Sequence, residues 1–315
     1  MTKIALYSPM QQTEWDHFVY QAKNATFMHM REYMDYHSSR FTDCSLIAYQ
    51  NNKMIGVMPA NRDGDTLYSH QGLTYGGWLV PAKHFDITHM LRIWDTMADT
   101  LTQMGISHLV YKPSPHIYHS YPAEEDLYAI FRHNGRITAT TISTVVPIAR
   151  ALRFNENSRR AIRLARKEGV TVNETDDYAP YWDVLTRLLN DRYGVDPVHS
   201  LAEISLLHSL FPINIRLFTA NLGDEVLGGV LVYHTGLVAR AQYIAASPRG
   251  KELKILPLVF DHLINNVFAQ TRYFDFGTSN EQGGRILNEG LVMQKTGMGG
   301  RATVYNTYTI DFGDA

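Results

Sequence analysis

The chain has 315 residues, 45% of them hydrophobic and 19% charged, an ordinary globular balance that excludes disorder as its main state. At roughly 150 residues per domain it should hold about two domains. A net charge of −2 excludes a generally basic nucleic-acid coat, though not a local basic site, and the single cysteine, Cys44, excludes an intramolecular disulfide and a thiolate zinc cluster.

The N-terminus lacks the apolar core of a signal peptide, and no apolar run approaches the ~18 residues of a membrane span. A reducing, cytoplasmic setting is therefore expected. Residues 11–36 look helical and aromatic-rich. Ser45 to Tyr49 and Met54 to Met58 flank a turn-like Gln50-Asn51-Asn52-Lys53, a hairpin signal. A Gly-rich stretch, Gly72 to Gly77, precedes an amphipathic helix over 87–104 that Gly105 ends. His108 to Lys112 reads as a strand stopped by Pro113.

The second half repeats this order: helix over 181–189, strands over 214–220, 226–233 and 237–245, a loop Ser247-Pro248-Arg249-Gly250-Lys251, a helix over 253–268, and a strand over 271–276. The repeat is one of element order, not of residues, and points to two copies of one α/β domain. Between the halves Arg159, Arg160, Arg163, Arg166 and Lys167 fall in one arc of about 120°, opposite Ala161, Ile162, Leu164 and Ala165. This basic amphipathic helix reads either as a solvated face or as a clamp for the phosphate of a nucleotide-linked substrate or of tRNA.

Gly297-Met298-Gly299-Gly300-Arg301-Ala302 matches a dinucleotide-binding pattern, but a strand-like stretch follows it and no βαβ unit fits. His116 and His119 lack further metal ligands, so no metal is expected. No nucleophile elbow or P-loop occurs. Ser247 to Lys251, between a strand and a helix, could hold phosphate on backbone N–H groups, with charge from Arg249 and Lys251. Asp275, between Phe274 and Phe276, would be costly to bury without a partner. Two Gly-rich loops with Lys295 between them follow, a pattern that suggests a cleft in which Asp275 and Lys295 either work together or form a structural ion pair.

At these residues the sequence resembles the FemAB-type acyltransferases, tandem members of the GNAT superfamily. The signature reads here as Phe274-Asp275-Phe276-Gly277-Thr278-Ser279, then Leu287-Asn288-Glu289-Gly290-Leu291, then Lys295-Thr296-Gly297-Met298-Gly299, with Met298 in place of the usual aromatic residue. The run from Ser158 to Val170 is similar to the family's basic helix. Ser69 to Gly77 and Tyr111 to Tyr128 resemble the first-domain cleft of bacterial relatives linked to surface polysaccharide.

The resemblance implies an α/β (α+β) fold of two GNAT-like N-acyltransferase domains, each a mixed, mostly antiparallel sheet flanked by helices. These would span 1–150 and 170–315, joined by a basic linker helix over 151–169. It implies acyl transfer to an amine of a cell-envelope or surface-glycan precursor, nucleotide- or lipid-linked, with acyl-CoA as co-substrate. The alternatives are an aminoacyl-tRNA-dependent transferase, or a degenerate binding protein of a glycan-synthesis cluster. Lys295, Asp275 and Tyr243 are the expected catalytic groups, the last as the acid for the leaving group. Ser247, Arg249, Gly250 and Lys251 would hold the cofactor. Tyr68, His70, Lys112, His116, Arg159, Arg163, Ser279, Glu281 and Asn288 would hold the substrate.

Overall fold

Alternating apolar residues, cut by Asn, Asp and Gly turns, make the first 141 residues a series of short strands with helices between them. The structure, a computed structural model, describes residues 1–312. The chain divides into two units, one of Met1–Thr141 with the segment from Tyr305, the other of Ile142–Val304.

In the first unit the elements run β1 (Thr2–Leu6), α1 (Gln12–Gln21), α2 (Arg31–Asp35), β2 (Thr42–Asp43), β3 (Leu46–Gln50), β4 (Lys53–Met58), β5 (Asn61–Asp63), β6 (Thr66–Tyr68), α3 (Ile87–Gln103), β7 (His108–Tyr111) and α4 (Glu125–Arg132). Strands β1, β3 and β4 form an antiparallel sheet. Strands β2, β5, β6 and β7 form another in that order, with β6 and β7 parallel. The amphipathic α3 buries Met90, Ile93, Trp94, Met97 and Leu101 and starts on an Asp86 cap that accepts from the Thr88 and His89 amides. The expected helix over 11–36 is broken, because a short 3-10 turn at Phe27–His29 separates α1 from α2.

The chain passes into the second unit through β8 (Arg136–Pro147). There follow α5 (Glu156–Lys167), β9 (Thr171–Thr175), α6 (Ala179–Tyr193), α7 (Leu201–Leu210), β10 (Ile215–Leu222), β11 (Glu225–His234), β12 (Val238–Ala246), α8 (Pro248–Glu252), α9 (Ile255–His262), β13 (Tyr273–Thr278), β14 (Asn280–Glu281), β15 (Ile286–Leu287) and α10 (Glu289–Gly297). The last strand, β16 (Arg301–Asp311), returns the chain to the first unit, where it pairs with β7. The sheet of the second unit has the order β8-β13-β12-β11-β10-β9, antiparallel except for the β12–β13 pair.

Each unit is thus a mixed, mostly antiparallel sheet flanked by helices. The basic segment over 151–169 is not a bare linker: α5 belongs to the second unit and buries Ala161, Ile162 and Ala165. Its cap is Asn155, whose side chain accepts from the Ser158 amide, and Leu164 remains 37% exposed rather than joining the apolar face. The Gly-rich stretch around Lys295 is not a pair of loops either. Nine of its residues form α10, begun by an Asn288 cap on the Leu291 amide.

Candidate active site

Parallel pairing of β12 and β13 lasts only three residues, Val238–Tyr273, Ala239–Phe274 and Arg240–Asp275. Beyond that rung the strands part, and a cavity of about 460 Å³ lies between them. Its walls are Arg240, Gln242 and Ile244 of β12, Gly277 and Thr278 of β13, Phe260 of α9, Arg192 of α6, and Lys295 of α10.

Strand alternation sorts the side chains. Phe274 and Phe276 point toward Phe260, with ring centroids 5.9 and 4.8 Å away. Asp275 therefore faces the other side, where it is fully buried. Its carboxylate accepts from Arg240 Nη1 at 3.0 Å, from the Gly277 amide at 2.8 Å and from Ser143 Oγ. These partners offset the desolvation of a buried anion. Asp275 thus answers the sequence expectation of a costly buried acid, but its ion-pair partner is Arg240 and not Lys295.

Lys295 is 5% exposed, and its ammonium donates to Gly277 O at 2.8 Å, Thr278 O at 2.8 Å and Ser279 Oγ at 2.9 Å. Three donors meet three acceptors, so the lysine pins the end of β13. Gly277, at φ +77°, adopts the left-handed turn that bends the strand toward it. Burial pulls the Lys295 pKa down to about 8, opposed by the charge of Asp275.

Tyr243 stands apart from this group. A register shift in β12 places Tyr243 opposite Leu231 and Ala241 opposite Val232, so Gln242 is the bulged residue. Tyr243 faces α6, its ring packing edge-on against Trp182 of that helix, and its hydroxyl lies 2.6 Å from Nδ1 of His199 in the segment between α6 and α7. It is not among the cavity walls, and burial raises its pKa to about 12. The structure does not bring it to Lys295 and Asp275.

The loop after β12 is largely self-satisfied. Ser247 caps α8 through the Gly250 amide, Arg249 pairs with Glu225 at 2.7 Å, and Gly250 is buried. Only Lys251 of the four expected cofactor residues lines the main cavity, and with Gly250 it also borders an adjoining one of about 410 Å³.

The expected substrate residues scatter. Tyr68, His70, Lys112 and His116 lie in the first unit, where His70 is buried at φ +68° and burial lowers its pKa to about 3. Burial also lowers the pKa of Lys112. Arg159 and Arg163 sit on α5 and both pair with Glu156. Ser279 accepts from Lys295, Glu281 is exposed in β14, and Asn288 is spent on its cap. The polar cavity-wall residues that sequence reading passed over include Arg192, Arg240 and Gln242. The first had no motif around it, and the other two gain their places from a strand register and a bulge.

Among the described residues no group of three or more His, Cys, Asp or Glu is arranged to hold a metal, and no helix is long and apolar enough to cross a membrane.

Residues 153–282 match the model of the acetyltransferase (GNAT) domain. No curated protein is significantly similar in sequence. Among solved structures, FemX superposes with a TM-score of 0.66 at 12% identity, covering 96% of each chain. L-PGS from Bacillus licheniformis gives 0.61 at 10% identity, over 98% of this chain and 94% of that one. A tandem GNAT protein from the clavulanic acid biosynthesis pathway gives 0.51 at 10% identity over all of both chains. At these identities the likeness is one of fold. Residues 153–282 thus form an acyltransferase domain of the GNAT type, and the strands that part over the cavity lie within it. The chain as a whole shares the fold of FemX and of the tandem GNAT protein.

Proposed function

We propose that the second unit moves an acyl group from a CoA thioester to an amine at the parting of β12 and β13. The observation that carries this reading is the cavity itself. It opens where the Arg240–Asp275 rung ends, and Ile244, Leu256, Phe260, Phe276 and Met298 give it an apolar wall suited to an acyl chain. An α-ammonium on the acyl group would meet Arg192, Arg240, Lys251 and Lys295, with no carboxylate among the described wall residues to receive it.

In the transfer the neutral amine attacks the acyl carbon. The new C–N bond forms as the C–S bond breaks, and the amine proton ends on the thiolate or on solvent. Lys295 contributes a fixed positive charge beside the developing oxyanion. With its three donors engaged it acts by position and field, not by passing a proton. Asp275 holds Arg240 and the β13 turn in place and stays out of the chemistry.

A second reading, transfer from aminoacyl-tRNA to a lipid- or nucleotide-linked amine of the cell envelope, is favoured by α5. Its five cations, Arg159, Arg160, Arg163, Arg166 and Lys167, against Glu156 alone leave a net +4 on one short helix. Structural likeness to FemX and L-PGS supports the same reading. Turnover measured with acetyl-CoA, a long-chain acyl-CoA and an aminoacyl-tRNA separates the two. Turnover with a CoA thioester supports the first reading. Turnover with aminoacyl-tRNA alone, falling steeply with salt, supports the second and overturns the first.

A further inference from the structure

The three N–H groups of Lys295 are spent on Gly277 O, Thr278 O and Ser279 Oγ, so the lysine offers an oxyanion its charge but no hydrogen bond. A carbonyl oxygen that becomes an oxyanion needs a donor already aimed at it. That donor has to come from another wall of the cavity.

Gln242 is the bulged residue of β12, stands where the strands have parted, and lines the cavity. Its neighbour Arg240 belongs to the last closed rung and donates from Nη1 to Asp275 at 3.0 Å and from Nε to Gln242 Oε1 at 3.4 Å. The second bond is long, and what it contributes is direction. A guanidinium can only donate, so it takes the amide oxygen of Gln242 and turns the amide nitrogen away from itself. No described residue accepts from Gln242 Nε2. Asp275 is fully buried and held in turn by Ser143 Oγ and the Gly277 amide, so the orientation of Gln242 is anchored in the core. The other amide of the wall, Gln294, has no side-chain hydrogen bond to a described residue, and nothing sets which of its ends faces the opening.

We propose that Gln242 is a catalytic residue whose Nε2 donates to the carbonyl oxygen of the acyl group, and that Arg240 and Asp275 are positioning residues that aim it. The proposal rests on the reading of the cavity as the place of transfer from a CoA thioester. As the amine lone pair forms the C–N bond, the carbonyl π pair moves onto oxygen, where Gln242 supplies the hydrogen bond and Lys295 the field. When that pair returns, the C–S bond breaks, sulfur takes its electrons, and the amine proton ends on the thiolate or on solvent.

Calorimetric titration of the full-length protein with octanoyl-CoA and with S-octyl-CoA, which has CH₂ in place of the carbonyl, tests this without an acceptor. The wild type should bind the thioester about threefold or more tighter. Gln242→Met should bind the two alike, with its affinity for S-octyl-CoA unchanged. With hydroxylamine as a neutral amine probe, hydroxamate formation from octanoyl-CoA should fall about a hundredfold in Gln242→Met. Gln242→Glu keeps an acceptor for Arg240 but has no N–H, so it should fall at least as far. A Gln242→Glu that restores the rate would reduce Gln242 to a support for Arg240 and overturn the proposal. A thioester preference absent from the wild type or surviving in Gln242→Met, or an unchanged rate, would also overturn it while leaving the transfer reading in place. A wild type that binds neither CoA compound would overturn the transfer reading, and the proposal with it.

Discussion

Both units contain a parallel strand pair at the same stage of their element order, yet one pair stays closed and the other opens. In the first unit β6 and β7 pair from Thr66–His108 to Tyr68–Val110. Bonding then continues: Ser69 N donates to Val110 O, Lys112 N to Ser69 Oγ, and Gly76 N to Lys112 O. Trp78 N donates to Tyr111 Oη at 2.6 Å, and Tyr111 Oη donates to the buried Asp126 at 2.8 Å. The Gly-rich stretch 72–77, expected to border an open cleft, therefore runs beside β7 and Pro113 and keeps the pair closed. In the second unit nothing replaces the lost rungs after Arg240–Asp275, and the cavity results. The same strand pairing thus forms a packed wall in one unit and borders a cavity, the proposed place of transfer, in the other.

The two buried carboxyl groups give the largest contrast. Asp275 is an ion-paired anion, so Asp275→Asn leaves Arg240 without its charge partner and should cost about 3–5 kcal/mol. Urea unfolding followed by circular dichroism measures this, and a loss under 1 kcal/mol would contradict the role assigned to the pair. Next in size is Gly77→Ala. Gly77 lies at φ +80°, and a Cβ there would sit 2.6 Å from the Tyr111 ring. A loss of about 1–3 kcal/mol is expected with unchanged turnover, because the strain falls in the closed unit. A drop in turnover at constant folded fraction would give that unit a share in catalysis.

Lys295 supplies a pH test. If its charge aids transfer, kcat should fall as pH rises through about 8, where the lysine loses its proton. In Lys295→Arg, which keeps its charge, that falling limb should vanish from whatever activity remains. A second pH test concerns Asp126, whose pKa burial raises to about 7. Its folded form holds a proton that the unfolded form has released, so its contribution to stability falls as pH rises from about 4 to 7. Asp126→Asn should remove that slope, and so be near neutral at pH 4 and relatively stabilising at pH 7 in melting curves.

Much of this was legible in the sequence. Alternation and turn residues marked β3, β4 and β10 to β13, and the spacing of apolar residues marked α3 and the buried side of α5. What escaped depended on register. That Arg240 would meet Asp275 follows from a parallel pairing between segments 35 residues apart, which no local pattern encodes. Tyr243 was misplaced because the bulge at Gln242 switches its face of the sheet, and counting by twos cannot see an inserted residue. Helix α10 read as loop because Gly290 and Gly297 lie within it and it has no clear apolar stripe.

The most direct test of the division of labour is native mass spectrometry of the full chain with acetyl-CoA and a long-chain acyl-CoA, repeated for Gln242→Trp, which fills the opening of the second unit. The account predicts one adduct per chain in the wild type and none in the variant. Two adducts per chain, or an adduct undiminished by Gln242→Trp, would contradict it.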